Sequence, residues 1–261
     1  EKSFYFGLDL AASYTFGHSK SVYDGTSSVA YSNWKYNYAV DSNNPGLAYS
    51  MFDIPHRVMV SVGYRTPRYA KGFMATTVSL VYNGYVGQRY SLTMNESYYD
   101  AEKKKTVYID YNGDGWGGNS LLYIPTEDEL QKMDFKTEED RRKFAEWIEG
   151  DSYAKKHRGA YAMRNSNSAP WENRVALHVA QDIFVLKDRG SKFQVTFDVT
   201  NFANMLNKKW GTTYTAAYNV MPLQVIGSKK GEDGNYTNTY AYNSRNTITK
   251  NDVLSRWHAQ I

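Results

Sequence analysis

The strongest constraint on the fold of this chain is a repeated alternation of apolar residues with small or polar ones. Six segments carry it, and the clearest covers residues 4–16, where even positions are mainly large and apolar and most odd positions hold Gly, Asp, Ala, Ser or Thr. A period of two places successive side chains on opposite faces of a β-strand. The alternation therefore predicts strands with one apolar face and one wet face.

The connections between these segments alternate in length. Residues 66–72 and 187–191 form short connections, whereas the other three run to tens of residues. Short turns on one side and long loops on the other are typical of outer-membrane β-barrels. We expect strands near 4–17, 54–66, 73–90, 171–186, 192–206 and beyond, and 252–261, with outer loops near 18–53, 91–170 and 207–251.

The predicted fold class is all-β, a transmembrane antiparallel β-barrel with long extracellular loops that contain short helices. The alternative is a water-soluble all-β domain whose apolar faces pack a core. Charged residues beside Gly, Ala and Ser on the polar faces favour the barrel, because its lumen is wet and crowded. The residues expected to face the lumen or a plug are Arg57, Arg65, Arg89, Arg174, His178, Asp182, Asp198, Arg256 and His258.

Six strands do not close such a barrel, since even eight leave an interior only just wide enough for side chains. We therefore expect residues 1–261 to be the C-terminal part of one barrel domain, with a larger part N-terminal to it. A mean hydropathy of −0.65 is compatible with this. A transmembrane strand needs only about 9–11 residues with every second one apolar.

Composition excludes several other classes. The chain has no Cys, which excludes disulfides, thiolate metal sites and cysteine nucleophiles. The net charge of +4 is spread along the chain beside acidic residues, and we interpret the basic clusters as solvated loop charges rather than a nucleic-acid surface. His56, His178 and His258 lie in different predicted strands, and no nucleophile elbow or His–Glu metal motif occurs, so we expect no enzyme.

Four stretches of the chain carry a family resemblance. Residues 44–57 (NPGLAYSMFDIPHR), 122–125 (LYIP) and 197–211 (FDVTNFANMLNKKWG) resemble the C-terminal third of TonB-dependent outer-membrane transporters, most closely the Oar-like branch of Bacteroidetes. Residues 255–261 (SRWHAQI) resemble the start of the last strand in that family. The resemblance covers nearly the whole chain.

The resemblance implies a barrel of about 22 strands with a plugged lumen, of which these six are the last. It implies a bacterial outer membrane location and active import of a scarce ligand such as a glycan, peptide, chelate or small protein. The implied partners are outer-membrane lipid, a surface lipoprotein, and the TonB-ExbB-ExbD complex, which contacts an N-terminal region that, like the plug domain, is not in this chain. The alternatives are a non-transporting barrel that binds or docks a surface partner protein, and a soluble carbohydrate-binding or adhesive domain.

The outer loops are rich in aromatic residues, with Asn, Asp and Arg nearby. Such platforms bind sugars and peptides, although an interfacial aromatic girdle has the same composition. The candidate ligand-binding residues are Trp34, Tyr36, Tyr38, Tyr98, Tyr99, Trp116, Tyr214 and Tyr218. The longest loop also contains two expected helix starts, at Thr126 and Thr137, each followed by an acidic first turn.

An acidic, glycine-rich segment raises the question of calcium. Asp110, Asn112 and Asp114 match the first half of a calcium-binding loop, with Gly115 at its sharp turn. Leu121 stands where the bidentate Glu belongs, so the second half fails. Two interpretations remain open: a calcium site completed by Asn119, a carbonyl or a distant carboxylate, and an Asx-rich turn that satisfies itself. No other cofactor is expected.

Overall fold

The secondary structure comes from a computed structural model that describes residues 1–186, 191–216, 219–244 and 247–261. The helices are α1 Ala30–Lys35, α2 Glu127–Lys132, α3 Glu138–Gly150 and α4 Phe202–Leu206, with one 3-10 turn at Ala154–Lys156. The strands are β1 Lys2–Ser3, β2 Leu8–Phe16, β3 Lys20–Ser21, β4 Ala48–Tyr49, β5 His56–Arg65, β6 Met74–Tyr85, β7 Arg89–Asn95, β8 Ser97–Asp100, β9 Lys105–Tyr108, β10 Tyr123–Ile124, β11 Asp134–Phe135, β12 Ala160–Tyr161, β13 Asn167–Ser168, β14 Glu172–Leu186, β15 Ser191–Thr200, β16 Tyr214–Thr215, β17 Asn219–Lys230, β18 Tyr236–Tyr242, β19 Thr249–Lys250 and β20 His258–Gln260.

The alternating segments form one antiparallel sheet of seven strands, in the order β1-β2-β5-β6-β14-β15-β20. Its register aligns residues of like polarity. Leu10 pairs with Val62, Val62 with Leu80, and Leu80 with Leu177. One position along, Asp9, Gly63, Ser79 and His178 pair across the same four strands. The predicted division into an apolar and a polar face is confirmed, and the chain is mostly antiparallel β-sheet.

The long loops fold into a second body at one end of this sheet. Its centre is a mixed five-stranded sheet in the order β11-β18-β17-β7-β13, in which β7 pairs with β17 and β11 with β18 in parallel. The hydrophobic core lies here, beneath α2 and α3. Its buried members are Tyr90, Leu92, Leu122, Ile124, Leu130, Phe135, Phe144, Ile148, Ala154, Ala162, Ala216, Val220 and Leu223. Not one of these residues belongs to the seven-stranded sheet.

Both expected helix starts are confirmed. The Thr126 side chain accepts a hydrogen bond from the Glu129 amide while Glu129 reaches back to the Thr126 amide, which forms a capping box before α2. Thr137 accepts from the Asp140 amide before α3. Each helix buries one apolar side: Leu130 in α2, and Phe144 and Ile148 in α3. None of the described helices is long and apolar enough to cross a membrane.

Two strands differ from their expected bounds in the first half of the chain. The first begins at Leu8, because residues 4–7 form a tight turn from β1 in which Gly7 has φ +92° and a Cβ would overlap the Arg65 carbonyl. The third ends at Tyr85 rather than near residue 90. After the break at residues 86–88 the chain enters β7 of the other sheet, so Arg89 does not lie on the polar face of the seven-stranded sheet.

The last two expected strands are also shorter. The fifth ends at Thr200, because Asn201 adopts a left-handed conformation with φ +52° and α4 follows. The last is confined to β20, since residues 252–255 form a turn in which the Ser255 amide donates to the Asn251 carbonyl. Arg256 therefore precedes the strand. The expected short turn at 187–191 lies outside the described residues apart from Ser191. In the described part of the chain the seven-stranded sheet is open, and β1 and β20 are its edge strands.

Candidate functional site

An ion pair joins the first two outer loops at the base of the candidate site. Arg89 at the start of β7 donates to one Asp53 carboxylate oxygen from Nη2 at 2.7 Å and from Nε at 3.0 Å. The Ser19 amide donates to the other oxygen at 2.6 Å, and the guanidinium lies 4.1 Å from the centre of the Tyr49 ring. Both charged side chains are buried. Burial alone would raise the pKa of Asp53, but the hydrogen bonds from Ser19, Arg89 and His18 outweigh it and hold the pKa below its ordinary value.

Asn165 extends this connection between the loops. Its side-chain amide donates to Asp24 at 3.0 Å and to the Tyr49 carbonyl at 2.8 Å, both in the first loop. Its backbone amide donates to the Ser91 hydroxyl of β7 at 2.9 Å. The neighbouring Arg164 also reaches the first loop, where it donates to the Ser21 and Val22 carbonyls. A polar network rather than an apolar contact thus fixes one loop against the other.

A cavity of about 470 Å³ opens above this network. Its volume lies within the range of small-molecule sites. Aromatic rings and side-chain amides dominate its lining: Thr26, Tyr36, Tyr38, Met51, Gln88, Arg89, Trp116, Gly117, Gly118, Asn119, Asn165, Asn219 and Met221. Residues from all three outer loops therefore meet at one cavity.

Neighbouring side chains fix the aromatic wall of the cavity in place. The Trp116 ring meets Tyr36 edge to face at 6.2 Å and stacks on Tyr108 at 5.9 Å. The Lys35 ammonium lies 5.2 Å from the Trp116 ring centre. The Asn119 amide donates to the Lys35 carbonyl at 3.0 Å, which joins this wall to the end of α1. These contacts fix the orientation of the Trp116 ring and of the Asn119 side chain at the cavity wall.

The structure brings together three of the eight predicted aromatic residues, because Tyr36, Tyr38 and Trp116 line the cavity. Trp34 lies in α1 with its ring 5.8 Å from that of Tyr31 and does not line the cavity. Tyr98 and Tyr99 lie on the β8–β9 hairpin and Tyr214 on β16, and none of the three lines the cavity. Tyr218 lies outside the described residues.

Sequence reasoning missed the amides of the site. Asn165 and Asn219 lie far along the chain from Trp116, and nothing in their local sequence marks them as its neighbours. Asn119 lies three positions from Trp116, but its sequence position suggests only a calcium ligand. Asn219 is positioned by donation to the Thr93 hydroxyl at 2.6 Å and to the Gly118 carbonyl at 3.3 Å. The left-handed backbone of Asn165, with φ +55°, is the kind of conformation that Asn tolerates, but it is visible only in the structure.

Four of the nine predicted lumen-facing residues pair with one another on the polar face of the seven-stranded sheet, Arg65 with Asp182 and His178 with Asp198. Asp182 accepts from Arg65 at 2.6 Å, Lys192 at 2.8 Å and Gln194 at 2.7 Å. His178 and Asp198 hydrogen-bond at 2.6 Å. Two further members of the set have other partners: Arg174 donates to Glu172 and Thr213, and Arg57 donates to Asn83.

Two members of the predicted set lie at the edge strand. His258 in β20 pairs in register with Thr200, and Arg256 precedes that strand. The polar face thus carries several hydrogen-bonded charged groups, and the buried Asp182 is the one whose burial requires its partners.

The acidic loop has the geometry of an Asx-rich turn. The Asp110 carboxylate accepts from the Asp114 amide at 3.0 Å and the Gly115 amide at 2.9 Å, and the Asn112 side chain accepts from the Asp114 amide at 3.2 Å. Asp114 is buried, and it accepts from the Trp116 amide at 2.6 Å and from Asn119 at 3.0 Å. Among the residues that the structure describes, no three His, Asp or Glu side chains stand together at metal-binding distance.

No protein-family model, curated protein or solved structure matched this chain. Aromatic faces stack on sugar rings or peptide side chains. The side-chain N–H groups of Asn119, Asn165 and Asn219 donate within the protein, so these amides shape the cavity. Arg89, the one charged residue of the lining, is already paired with Asp53. The cavity suits a neutral, polar ligand.

Proposed function

We propose that this chain is part of an outer-membrane β-barrel whose outer loops bind a ligand for import, in the manner of TonB-dependent transporters. In this proposal the seven-stranded sheet spans the membrane with its apolar face in lipid. The body formed by the loops stands outside and holds the ligand in the cavity of Trp116.

The observation that carries the proposal is the uncovered apolar face of the seven-stranded sheet. Leu80 and Phe197 are exposed, Phe193 is 70% exposed, and Val60 and Leu177 are half-buried. A water-soluble sandwich would cover such residues with a second layer. The hydrophobic cluster of the described residues instead lies wholly in the loop body. Lipid is the solvent in which an apolar sheet face of this size is stable.

Strand length and aromatic placement support the same conclusion. Strands β2, β5, β6, β14 and β15 have 9, 10, 12, 15 and 10 residues, and a transmembrane strand needs about 9–11. Tyr14, Phe16 and Tyr82 lie toward the end next to the loop body, and Tyr64, Phe193 and Phe197 lie toward the opposite end. In register, one aliphatic row separates Tyr82 from Tyr64: Leu10, Val62, Leu80, Leu177 and Val199. Two aromatic bands around an aliphatic zone are typical of membrane barrels.

The two edge strands of the sheet, β1 and β20, would each need a hydrogen-bonding partner in a membrane. An unpaired sheet edge in lipid leaves backbone N–H and C=O groups without partners. In the proposal, β1 and β20 therefore pair with further strands, and the polar face with Asp182 and His178 lines a lumen.

Import rests on the family resemblance together with the cavity. The resemblance supplies TonB-ExbB-ExbD as the energy-coupling partner, and the cavity supplies a place where a neutral glycan or peptide is captured before it moves inward. Docking of a surface protein without transport is the alternative function. Uptake measurements distinguish the two.

Cysteine labelling tests the membrane orientation, and the chain is suited to it because it contains no Cys. Ser79 and Leu80 are consecutive and face opposite sides of β6, as do Ser61 and Val62 on β5. Each is replaced singly by Cys in the protein reconstituted into bilayers, and a hydrophilic maleimide is added. We expect rapid labelling at Ser79→Cys and Ser61→Cys and protection at Leu80→Cys and Val62→Cys. Equal labelling of both faces, with a protein that stays dispersed without detergent, would contradict the proposal.

Ligand capture is tested with a panel of neutral oligosaccharides and uncharged peptides. A ligand that raises the melting temperature of the protein should lose that effect in Trp116→Ala and Tyr36→Ala. Tyr99→Ala is the control, because Tyr99 is an exposed aromatic residue outside the cavity. Uptake of the labelled ligand by cells should then require an energised inner membrane. Binding without uptake would favour the docking function.

A further inference from the structure

A second cavity, of about 300 Å³, lies beside α2 in the loop body. We call it the tyrosine cavity, because four tyrosines join methionines and leucines in its lining: Met94, Tyr111, Ser120, Leu121, Tyr123, Pro125, Glu129, Met133, Tyr161, Leu223 and Tyr240. Among the described residues, none lines both this cavity and the cavity of Trp116. A group that enters the tyrosine cavity therefore meets a different surface.

The buried part of the lining is mainly apolar. Leu121, Pro125 and Leu223 are buried there beside the hydroxyl of Ser120. The methionine side chains of the lining add thioethers, which contact aromatic rings favourably. An apolar cavity of roughly 150 Å³ already binds benzene. The tyrosine cavity therefore has room for an aromatic ring with a short chain attached.

Aromatic rings stand at the mouth of the tyrosine cavity. Tyr111 is 45% exposed and Tyr161 is 51% exposed. Tyr161 pairs in register with Tyr123, and their rings meet edge to face with centres 5.1 Å apart. The Tyr111 and Tyr240 hydroxyls lie 3.4 Å apart, and the Asn238 amide donates to Tyr111. Tyrosine rings attract other aromatic groups and also cations, which bind over the ring face.

The one carboxylate in the lining is Glu129 of α2. Its Oε1 atom accepts from the Tyr123 hydroxyl at 2.9 Å, and its Oε2 atom accepts from the Thr126 amide at 2.8 Å. The hydrogen bonds from Thr126 and Tyr123 hold the pKa of Glu129 below its ordinary value. The carboxylate is therefore charged at neutral pH, and its Oε1 atom keeps a lone pair for a further donor.

No Lys, Arg or His stands among the described residues that line the tyrosine cavity. Two arginines donate to carbonyls of the lining, but both, Arg141 and Arg158, are paired with glutamates outside it. Lys132, whose charge acts on Glu129, is exposed and is not in the lining. Within the lining, the charge of Glu129 has aromatic neighbours and no cationic one.

We propose that the tyrosine cavity is a second binding site, which takes an aromatic ring joined by a short chain to an ammonium group. The ring packs against the apolar part of the lining that includes Leu121 and Leu223. The ammonium lies at the mouth, where it donates to Glu129 and contacts a tyrosine ring. Small aromatic amines carry such a group, and so do peptides whose first residue is aromatic.

NMR of methionine methyl groups tests the site in the full protein, held in a maltoside detergent. Met94 and Met133 line the tyrosine cavity, whereas Met221 lines the cavity of Trp116 and serves as an internal control. The three signals are assigned by replacing each methionine with Leu. Phenethylamine should shift the Met94 and Met133 signals saturably, through the ring current of the bound ring, and leave the Met221 signal in place. Phenylalanyl-alanine amide then shows whether a peptide N-terminus binds as the small amine does.

Probes of similar size test the role of charge. Phenylethanol lacks the ammonium and should bind about fivefold more weakly than phenethylamine, and phenylacetate, which is an anion, should bind more weakly still. Glu129→Gln should remove most of the difference between the amine and the alcohol, and it keeps the capping box, which accepts Gln at this position. Glu127→Gln is the matched control, because Glu127 is an exposed residue of α2 outside the lining, and it should keep the difference.

Three results would overturn the proposal: no saturable shift at Met94 and Met133, phenylacetate binding as tightly as phenethylamine, or an undiminished preference for the amine in Glu129→Gln. The methyl spectrum of each variant without a probe shows whether it is folded. The readout requires neither a bilayer nor transport, so its failure leaves the proposed import function standing.

Discussion

The Arg89 guanidinium lies 2.7 Å from the Asp53 carboxylate, although the two residues are 36 positions apart and belong to different outer loops. Both are buried, and the pair forms the floor beneath the aromatic cavity. Their contact explains why loops of this length hold a defined shape. The wall that carries Trp116 and the loop that carries Tyr36 are fixed to a common point.

Removal of the Asp53 charge should loosen the loops. In Asp53→Asn the buried Arg89 guanidinium loses its counter-ion, and breaking a buried pair in this way costs about 3–5 kcal/mol. We expect a lower melting temperature and faster proteolysis within the outer loops. Lys103→Ala is the control, since Lys103 pairs with Asp100 at the surface and its loss should leave the melting temperature unchanged. An Asp53→Asn protein as stable as the control would show that the pair does not hold the loops.

The same pair makes stability depend on pH in a definite direction. The pKa of Asp53 is held below its ordinary value of 3.8, so the folded carboxyl releases its proton more readily than the unfolded one. The stabilisation is fully present above that ordinary value and is lost as the pH falls through the lower, folded pKa. The difference in melting temperature between the native protein and Asp53→Asn should therefore shrink at strongly acidic pH. A constant difference across that range would contradict the assignment.

A charge on the apolar face should be far more damaging than one on the polar face. Leu80→Arg places a guanidinium near the middle of the proposed lipid-facing zone, where such substitutions cost about 2–4 kcal/mol. Ser79→Arg, its neighbour on β6, faces the polar side and should cost much less. The free energy of unfolding from bilayers measures both. Similar costs at the two positions would argue against lipid on one face only.

The loop body should lose its order without loss of the sheet when its core is opened. Phe144 is fully buried and stacks on Trp147 at 6.0 Å, and its replacement by Ala costs about 3–5 kcal/mol. Hydrogen exchange should accelerate in β7 and β17 and stay slow in β5 and β6. Tyr99→Ala removes an exposed ring instead and should change neither. Loss of protection in β5 and β6 as well would mean that the two bodies share one core.

Much of the larger sheet could be predicted because its signal is local. Alternation along each strand decides which side chains share a face, and the register confirms it at Leu10, Val62, Leu80 and Leu177. The helix starts at Thr126 and Thr137 could be predicted for the same reason, since a capping side chain contacts a backbone amide only three residues ahead. The capacity of the acidic loop for Asx turns was also present in its spacing.

The rest depended on contacts between distant segments. Gly87 is the single local signal at the break in residues 86–88, and an isolated Gly does not predict that Arg89 enters another sheet. The pairing of β7 with β17 joins residues more than a hundred positions apart.

The sequence by itself determined the two faces of the large sheet and the chemistry available in its loops, because side-chain period and capping act over a few residues. Only the tertiary structure decided which of those loop residues meet: Asp53 with Arg89, and Tyr36 with Trp116 and the amides of Asn119 and Asn219. Loop closure brings such residues together through polar contacts that have no period along the chain, and no local pattern encodes them.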